Sequence, residues 1–574
     1  MEKQWQLLDP DPKIVAALSR QLNCSPLMAR LLVIRGIQTA DRATRFLNPT
    51  FSSLTPPFEL AGMRSAVRRI YHALSTDQRL LVCGDYDADG ITATVVLIHF
   101  LRQCDARVSY YIPHRIQDGY GLTTDLLTSR ILPKQVDLII TTDCGSGSHE
   151  AISLARQAGV DTIVTDHHPV DEPPADAVAV INPAQPGCRA NLAHLAGVGV
   201  AFYLVIALRT YLREKGFWKD RPEPNLTQFC DLVAIGTVAD IVPLIAENRT
   251  FVHAGLHRIN RGERRGIEAL LRTGRSSSAP VDAQTIAFRL APQINAAGRL
   301  VHARMACELL LADEHDKTHR LAGTLASLNS RRQRMEKELL ASILDTMPHP
   351  PDGSYPSVLV MDGANWHEGI LGIVASRLAR QFYRPAVVLS NRNGTAKGSA
   401  RSVEGIDLTV AMAQCADLLD RFGGHPMAAG LALQTARIAE FRARLVAVVD
   451  RMLEKQVPVE TLTIDAHVPL DRVTPFLMDE LNRIGPFGQA NPQPLFTASD
   501  IRIHACRIVG GRHRQLVMHK ASDGNGLYRG IQFNADRVLA KGDHIDKIAY
   551  RPQWNYWKGK KELQFLIEAV EPDI

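Results

Sequence analysis

The chain lacks paired cysteines. Its nine cysteines lie singly along 574 residues, with no C-x-x-C pair among them. This spacing excludes the usual structural zinc and dithiol redox motifs. Several cysteines fall within apolar runs, where they are typical of small buried side chains. A reducing compartment is the simplest setting, so we expect a cytoplasmic protein.

Long hydrophobic runs are absent as well. Residues Met1–Trp5 contain no signal-like apolar core. The best candidate span, Leu195–Leu208, is shorter than the roughly 18 residues that a transmembrane helix needs and is interrupted by Gly197 and Gly199. We therefore expect a soluble protein with no membrane partner.

A strong excess of charge of one sign is also missing. The chain has 66 lysines and arginines against 60 acidic residues, a net charge of +6. This balance neither requires nor excludes a nucleic-acid partner. Hydrophobic residues make up 45% and charged residues 22% of the chain, which is typical of folded globular proteins. The length predicts roughly three to four domains.

The pattern along the chain predicts an α/β protein in five segments. Residues 1–55 indicate short helices between proline-rich breaks. In residues 56–305, strand-like and helical runs alternate, which predicts a parallel, doubly wound sheet. A long connecting helix in 306–355 leads to a second α/β unit in 356–455. The short alternating segments of 456–574 are typical of a small β-barrel.

Carboxylates crowd into one turn of the first α/β segment. Asp85, Asp87 and Asp89 follow the apolar run 80–83 and precede a helical pattern. In open parallel sheets, ligands bind at this end of the strands. Taken alone, one Asp-x-Asp pair favours an acidic surface turn over a ligand site.

Later strand ends repeat the polar pattern. The residues that follow the next strand-like runs are Asp143, Asp166, His167 and His168. Asp240 lies within an apolar segment, where an acid is costly to bury without a partner. Because these strand ends are neighbours, we expect the side chains to converge. Carboxylates with neutral imidazoles suit Mn²⁺ or Mg²⁺ better than zinc, and a pair of such ions suits phosphoryl chemistry.

Seven motifs, in order along the chain, resemble the DHH phosphoesterases and, within that superfamily, the RecJ family of bacterial exonucleases. They are GDYDADG (84–90), DGYG (118–121), TDCG (142–145), DHH (166–168), GVGVAF (197–202), GTVAD (236–240) and NAAGRL (295–300). The resemblance implies a single-stranded-DNA-specific 5′→3′ exonuclease that releases 5′-mononucleotides by two-metal-ion hydrolysis, in DNA repair and recombination. It also implies a monomer that acts on a free 5′ end, with single-strand-binding protein and a helicase as further partners.

Residue roles are carried over from the resemblance position by position. The metal ligands that it implies are Asp85, Asp87, Asp143, His167 and Asp240, with Asp143 as the bridging carboxylate. The catalytic residues that it implies are His168, which faces the scissile phosphate, and Asp166 and Asp89, which orient the ligands. The phosphate contacts that it implies are Arg115, Arg299, Ser399, Arg401 and His425. The last three lie in stretches that resemble the DHH-associated domain, which holds the 5′ end.

Residues 456–574 resemble an oligonucleotide-binding (OB) barrel, in which aromatic and basic side chains hold single-stranded bases. The candidates for this role are Phe487, Phe533, Tyr550, Trp554, Tyr556, Trp557, Arg551 and Lys558. Within the TDCG motif region, Cys144 and Ser146 stand where family members commonly have Asn and Ile. We do not expect Cys144 to be a nucleophile, because a thiolate needs positive neighbours.

Two other functions fit parts of the pattern. The first is a DHH-type hydrolase of short oligonucleotides, cyclic dinucleotides or pyrophosphate; such relatives are usually shorter and lack the barrel. The second is an inactive nucleic-acid-binding scaffold, against which the retained metal ligands argue. Processive cutting of a long strand would exclude the first, and Mn²⁺ binding with nucleotide release would exclude the second.

Overall fold

Two compact units make up the chain. The computed structural model describes residues 3–274, 279–348, 350, 355–454, 459–521, 526–535, 538–557 and 559–571. One unit comprises Arg299–Val301 and Ser327–Leu462 with the N-terminal residues up to Gln4; the other comprises Trp5–Gly298, His302–Ala326 and Thr463–Ile574. Within the described residues, no helix is both long and apolar enough to cross a membrane.

Short helices form the N-terminal segment, as predicted, after a short strand. The elements are β1 (Gln4–Leu7), α1 (Pro12–Leu22), α2 (Pro26–Ile34) and α3 (Ala40–Leu47). The side chains of Asp11, Ser25 and Thr39 each accept a hydrogen bond from a backbone N–H of the helix that follows. These capping bonds explain why each helix begins where it does.

A five-stranded parallel sheet forms the core of the segment that contains the acidic motifs. Its elements are α4 (Met63–Ser75), β2 (Arg79–Gly84), α5 (Ala88–Gln103), β3 (Arg107–Tyr111), α6 (Thr124–Leu126), β4 (Leu138–Thr142), α7 (His149–Gln157), β5 (Asp161–Thr165) and β6 (Ala179–Ile181). The strand order is β3-β2-β4-β5-β6, and every neighbouring pair is parallel. The predicted doubly wound sheet is therefore present.

Both faces of this sheet are covered. Leu81 and Cys83 of β2 pack in a buried cluster that includes Ile152 of α7, while the alternate residues Leu80 and Val82 are also buried and point to the opposite face. The helices that follow the sheet in the chain are α8 (Gly197–Glu214), α9 (Cys230–Ala239), α10 (Ala246–Arg261), α11 (Arg265–Arg272), α12 (Ala283–Thr285), α13 (Ala291–Leu300) and α14 (Arg304–Leu311).

The predicted connecting segment contains one long helix, and a mixed sheet follows it. The elements are α15 (His315–Thr346), β7 (Leu359–Ala364), α16 (Glu368–Phe382), β8 (Ala386–Arg392), β9 (Thr395–Arg401), α17 (Leu408–Ala413), β10 (Arg421–His425), β11 (Ala428–Gln434) and α18 (Ile438–Met452). The strand order is β10-β11-β9-β8-β7. Only β7 and β8 pair in parallel; the other neighbours are antiparallel.

The C-terminal strands close into a barrel. The elements are β12 (Thr461–Ile464), β13 (Ala466–His467), α19 (Pro475–Ile484), β14 (Phe496–Val509), β15 (His513–Lys520), β16 (Tyr528–Gln532), β17 (His544–Trp557) and β18 (Lys560–Glu571). The order β14-β15-β16-β18-β17 is closed by a further pairing of β14 with β17. The ring passes from β16 to β18 through the pairs Gly530–Phe565 and Ile531–Leu566.

Arg249 joins the N-terminal helices, the parallel-sheet segment and the segment that leads into the barrel. It lies on α10 and is only 2% exposed. Its guanidinium donates hydrogen bonds to the backbone carbonyls of Phe46, Ile484 and Arg483, and it stacks on the Phe46 ring at 3.7 Å. A buried charge is tolerated only when its hydrogen bonds are satisfied, and here the guanidinium donates to three carbonyls in two other segments of the chain.

We expect Arg249→Ala to lower the free energy of unfolding by about 3 kcal/mol or more, because three carbonyls, one of them buried, lose their donor and the packing on Phe46 is lost. The urea midpoint of the full-length protein measures this change. Arg261→Ala on the same helix removes an exposed guanidinium and should change stability by less than about 0.5 kcal/mol. Equal midpoints for the two variants would contradict the role of Arg249.

Candidate metal centre

Three aspartates lie in register at the carboxyl ends of three neighbouring strands. Gly84, Thr142 and Thr165 are aligned across β2, β4 and β5, and the next residues are Asp85, Asp143 and Asp166. The backbone N–H of Asp85 donates to Thr142 and that of Asp143 to Thr165, so the alignment continues past the strand ends. Adjacent strands are about 4.8 Å apart, and the predicted convergence of these acids therefore follows from the sheet.

The Asp87 side chain caps α5. Its Oδ1 accepts from the N–H groups of Asp89 and Gly90 at 2.9 and 3.1 Å. The Oδ1 of Asn295, on α13, accepts from Ala88 N–H at 2.7 Å. The NAAGRL motif thus supports the acidic turn through Asn295. This role was not predicted from the sequence, where only Arg299 of the motif was assigned.

The structure brings the five predicted metal ligands together. Potential ligand atoms lie within 4.8 Å of one another in three groups: Asp143, His167 and His168; Asp89, His167 and Asp240; Asp85, Asp87 and Asp143. Asp143 belongs to two of these groups, which is the position expected of a bridging carboxylate. The Nε2 atom of His167 lies 3.2 Å from Asp143 Oδ1 and 3.6 Å from Asp240 Oδ2.

Two buried oxygens at this centre have no hydrogen-bond partner within the described part of the chain. They are Oδ1 of Asp85 and Oδ1 of Asp143, in side chains that are almost fully buried. An unpaired buried carboxylate oxygen costs several kcal/mol in a protein interior. Oxygen donors of this kind, with a neutral imidazole beside them, are the ligands that Mn²⁺ and Mg²⁺ prefer, so the residues present fit such ions.

Burial and mutual repulsion raise the pKa values of these acids. Burial, followed by the charge of Asp87, raises the pKa of Asp85 well above its usual range. Burial and the neighbouring aspartates likewise raise the pKa of Asp143 well above its usual range and that of Asp240 to about 9. Burial and the charge of His168 lower the pKa of His167 to about 4, which keeps this imidazole neutral. Bound cations would favour the ionised form of these acids and so lower their pKa values.

Asp89 lies beside His167 and Asp240, but both of its oxygens also accept hydrogen bonds from backbone. Its two oxygens accept from the N–H groups of Gly197 and Val198, at 2.7 and 2.9 Å, at the start of α8. Gly197 permits this approach, because a Cβ there would collide with the carboxylate of Asp143. The predicted orienting role of Asp89 therefore corresponds to anchoring α8 beside Asp143.

His168 is held by Asp166 and by backbone. Its Nδ1 lies 2.8 Å from Asp166 Oδ1, and Asp166 Oδ2 accepts from Ser146 N–H at 3.0 Å. Burial lowers the pKa of His168, but the hydrogen bond and charge of Asp166 outweigh it and raise the pKa. The hydroxyl of Tyr120 lies 3.2 Å from Nδ1 of the same ring and donates to the carbonyl of Asp143. Tyr120 therefore belongs to the site, although it was not predicted from the sequence.

The two positions that depart from the family pattern are both structural. Cys144 is fully buried, and burial raises its pKa well above the usual range, which agrees with the expectation that it is not a nucleophile. The Oγ of Ser146 accepts from Asn182 Nδ2 at 2.9 Å, and the same amide donates to the carbonyl of His168. Ser146 and Asn182 therefore brace the loop that carries His168.

Arg115 lies in the parallel-sheet unit, where its guanidinium covers the ring of Tyr86 at 4.8 Å. Tyr86 stands between Asp85 and Asp87 in sequence, so Arg115 contacts the acidic turn itself. Tyr86 and Tyr120 also form an edge-to-face pair with centroids 6.4 Å apart. An arginine held in this way can pair with a phosphate oxygen beside the carboxylates.

Four other predicted phosphate contacts lie in the unit that contains the mixed sheet. Arg401, Ala428 and His425 are aligned across β9, β11 and β10. The Nη1 of Arg401 donates to Ser399 Oγ at 3.0 Å. Arg299 donates to the carbonyl of Gly369, at the start of α16, at 3.2 Å.

Only some of the predicted barrel aromatics have rings that a base can reach. Tyr550 is fully buried, and its hydroxyl donates to the carbonyl of Val468 at 2.6 Å, so its predicted role in stacking is wrong. Arg551 pairs with Glu568 at 3.0 Å. Phe533 is 52% exposed, and Trp554 and Tyr556 are partly buried. Lys558 and the side chain of Trp557 lie outside the described residues.

Family comparisons agree with this geometry. The family model described as the DHH family, N-terminal domain, matches residues 79–237, that of the DHHA1 domain matches 356–455, and that of the RecJ OB domain matches 464–569. The single-stranded-DNA-specific exonuclease RecJ of Salmonella typhimurium is 36% identical over 586 residues, which cover 100% of both chains. The chain belongs to the RecJ family.

Other RecJ proteins give the same result. RecJ of Bacillus subtilis is 35% identical over 570 residues, 98% of this chain and 70% of that protein. The crystal structure of Thermus thermophilus RecJ in complex with Mn²⁺ matches with a TM-score of 0.83 and 30% identity, over 100% of this chain and 80% of that one. The predicted fold class is confirmed, whereas the predicted domain boundaries and residue roles stay predictions.

We expect the free energy of unfolding of the metal-free protein to decrease as the pH rises from about 6 to about 8. The pKa values of Asp85, Asp143 and Asp240 in the folded protein are raised. Over this range the folded chain keeps protons that the unfolded chain has already lost, so its stability decreases as the pH rises. Thermal melting in EDTA measures the slope. Added Mn²⁺ should stabilise more at the higher pH, because it competes with fewer protons.

The control is Asp240→Asn, which removes one acid with a raised pKa and should make the EDTA slope shallower. Two results would contradict the acid cluster as the source of the pH dependence. One is an equal slope of stability against pH in EDTA for the wild type and Asp240→Asn, and the other is a stabilisation by Mn²⁺ that does not grow with pH.

Proposed function

We propose that the chain is a metal-dependent exonuclease that degrades single-stranded DNA from its 5′ end and releases 5′-mononucleotides. The observation that carries this proposal is the in-register acid cluster with its unpaired buried oxygens on Asp85 and Asp143, in a member of the RecJ family. The relatives named above are single-stranded-DNA-specific exonucleases. Family membership also supports a role in DNA repair and recombination.

Mn²⁺ or Mg²⁺ is the proposed cofactor, held as a pair by Asp85, Asp87, Asp143, His167 and Asp240. When bound, such ions activate water and stabilise the charge that develops at phosphorus. The protein supplies the geometry: Asp143 belongs to two of the three groups of potential ligands, and the neutral His167 leaves a nitrogen lone pair for coordination.

His168 is proposed to face the scissile phosphate. Asp166 fixes the orientation of its ring through Nδ1 at 2.8 Å. Because its pKa is raised, the imidazole can carry a proton and donate it to a phosphate oxygen. Arg115, stacked on Tyr86, adds a second positive group without occupying a metal position.

The mixed-sheet unit is proposed to hold the 5′ end of the strand. Arg401 and Ser399 lie on β9 and His425 lies on β10, with β11 between the two strands, and Arg299 contacts the first turn of α16. Guanidinium and hydroxyl donors on a rigid sheet suit a phosphate group. Single-strand-binding protein and a helicase as partners, a monomeric state and a cytoplasmic location are part of the same proposal.

The direct test is digestion of 5′-labelled single-stranded DNA by the purified protein with Mn²⁺ or Mg²⁺. We expect labelled 5′-mononucleotide as the first product, and a loss of at least about 100-fold in rate for Asp143→Ala, which removes the shared carboxylate. Blunt-ended duplex DNA of the same sequence is the control substrate. Equal digestion of duplex and single strand would exclude single-strand specificity, and activity only on short oligonucleotides would favour the alternative hydrolase.

We expect Gly372→Ala to weaken recognition of the 5′ end. A Cβ at this position on α16 would lie 2.9 Å from Nη2 of Arg401 and 3.0 Å from Oγ of Ser399, so both side chains must move. KM for 5′-phosphorylated single strands should rise about tenfold, the loss of about one charge-assisted hydrogen bond, with little change in kcat. Ser376→Ala, one turn further along α16, is the control and should behave as wild type. Unchanged KM in Gly372→Ala would contradict this assignment.

A further inference from the structure

The first turn of α10 contains two buried polar side chains that no metal or substrate role accounts for. Glu247 is 7% exposed and Asn248 is 0% exposed. Neither belongs to the three groups of potential metal ligands. Polar groups buried at this depth normally have hydrogen-bond partners, and the partners show which parts of the chain these two residues hold.

The amide of Asn248 bridges two loops. Its Nδ2 donates to the carbonyl of His194 at 2.6 Å and to that of Pro243 at 2.9 Å. Its Oδ1 is buried and has no hydrogen-bond partner among the described residues. Only the nitrogen end of a side-chain amide carries two donors, so the two carbonyls fix its orientation. One side chain therefore sets the spacing between the two loops.

The first of these loops, residues 192–196, lies behind one of the predicted metal ligands. Burial lowers the pKa of His167, and a hydrogen bond with the backbone of Leu195 acts in the opposite direction. At the end of the loop, the N–H of Gly197 donates to Asp89 Oδ2 at 2.7 Å. Backbone contacts of this kind fix the ring orientation of a metal-binding imidazole. The loop therefore supports two side chains of the centre.

The second loop carries Asp240 itself. Asp240 follows the last residue of α9, and Pro243, whose carbonyl accepts from the amide, comes three residues later. The N–H of Leu244 donates to the carbonyl of Gln489, in the segment 485–494, at 2.8 Å. The turn is therefore fixed at two consecutive residues, and the position of Asp240 depends on both contacts.

The two loops hold the members of a single group of potential ligands. That group is Asp89, His167 and Asp240, and Nε2 of His167 lies 3.6 Å from Oδ2 of Asp240. The group that contains Asp85 and Asp87 follows β2 instead, and among the described residues the bridging amide makes no hydrogen bond to that turn. A change at the amide should therefore affect one metal position and not the other.

Glu247 holds the first loop from a second side. Its Oε2 lies 3.0 Å from Nε2 of His194, and its Oε1 accepts from the hydroxyl of Thr55 at 2.9 Å. Consecutive residues of α10 thus hold both the side chain and the carbonyl of His194. Within the described part of the chain, the side-chain hydrogen bonds of Glu247 do not include the turn after Asp240, so this residue acts on the first loop alone.

We propose that Asn248 is a positioning residue for one of the two metal positions, the one formed by His167 and Asp240. It fixes the distance between the loop behind His167 and the turn that carries Asp240, and Glu247 supports the loop. This inference rests on the proposed function, since it takes the acid cluster to bind a pair of Mn²⁺ or Mg²⁺ ions.

The test is titration of the full-length, metal-free protein with Mn²⁺, in which the electron paramagnetic resonance signal of free Mn²⁺ counts the ions that remain unbound. We expect two bound ions in the wild type. In Asn248→Ala one of the two Kd values should rise about tenfold or more, the usual effect of removing a residue that orients metal ligands. The other Kd should stay as in the wild type.

Asp240→Asn identifies the affected position, because it removes a ligand of that position directly. It should weaken the same one of the two Kd values as Asn248→Ala. In the double variant, Asn248→Ala should add little to the loss, since residues that act on one position are not additive.

Two control variants lie at the other end of α10. The amide of Asn260 also donates to two carbonyls, those of Leu256 and Val281, so Asn260→Ala removes the same kind of bridge away from the centre. Ile259 is 5% exposed, and Ile259→Ala should cost about 2–5 kcal/mol of stability. Both should keep the two wild-type Kd values, which separates positioning from general loss of stability.

Melting temperatures in EDTA establish that each variant is folded. Glu247→Ala replaces Asn248→Ala if the latter does not fold, and it should weaken the same metal position. Unchanged Kd values in the folded variant, an equal loss at both positions, or the same loss in Ile259→Ala would overturn the proposal. A wild-type protein that binds no Mn²⁺ would overturn the proposed function as well, so the two failures are distinguished by the wild-type titration.

Discussion

Repulsion among carboxylates buried at one end of a sheet is the constraint on which the rest of the structure depends. Ionised side chains are expensive in a medium of low dielectric constant, and the strand register brings several of them together. The protein divides the acids into two sets. Asp89 and Asp166 are satisfied by backbone N–H groups, whereas Asp85 and Asp143 keep unpaired oxygens. Bound cations would satisfy the unpaired oxygens of the second set.

This division explains why the motifs are spread over so much of the chain. The N-terminus of α8 supplies the donors for Asp89, and the loop at Ser146 supplies one for Asp166. Asn295, near the end of the segment, binds the first turn of α5. Each of these distant residues makes a hydrogen bond to a polar group of the centre. The centre is therefore held by the whole segment rather than by the strand ends alone.

The sheet and the position of the centre were predictable because parallel strands place their carboxyl ends at one edge. The distinction between acids was not predictable, because Asp87 and Asp89 belong to the same turn, and the backbone groups that each one meets come from different parts of the chain. Tyr550 was wrongly predicted for the same kind of reason: alternation in a strand gives two faces, and only barrel closure decides which one is inside. The guanidinium of Arg249 donates hydrogen bonds to residues more than 200 positions away in the sequence, so no local sequence pattern could predict these contacts.

The turn after Asp240 shows how the centre and the barrel depend on each other. Ile241 has a φ of 59°, a left-handed conformation that is unfavourable for a β-branched residue. Such strain persists only when the flanking contacts fix both ends of the segment. Here Asp240 must reach His167 at one end, and Leu244 must bond to Gln489 at the other. The strain at Ile241 is thus offset by the two contacts that the turn connects, and a shift of the 485–494 segment would be transmitted to Asp240.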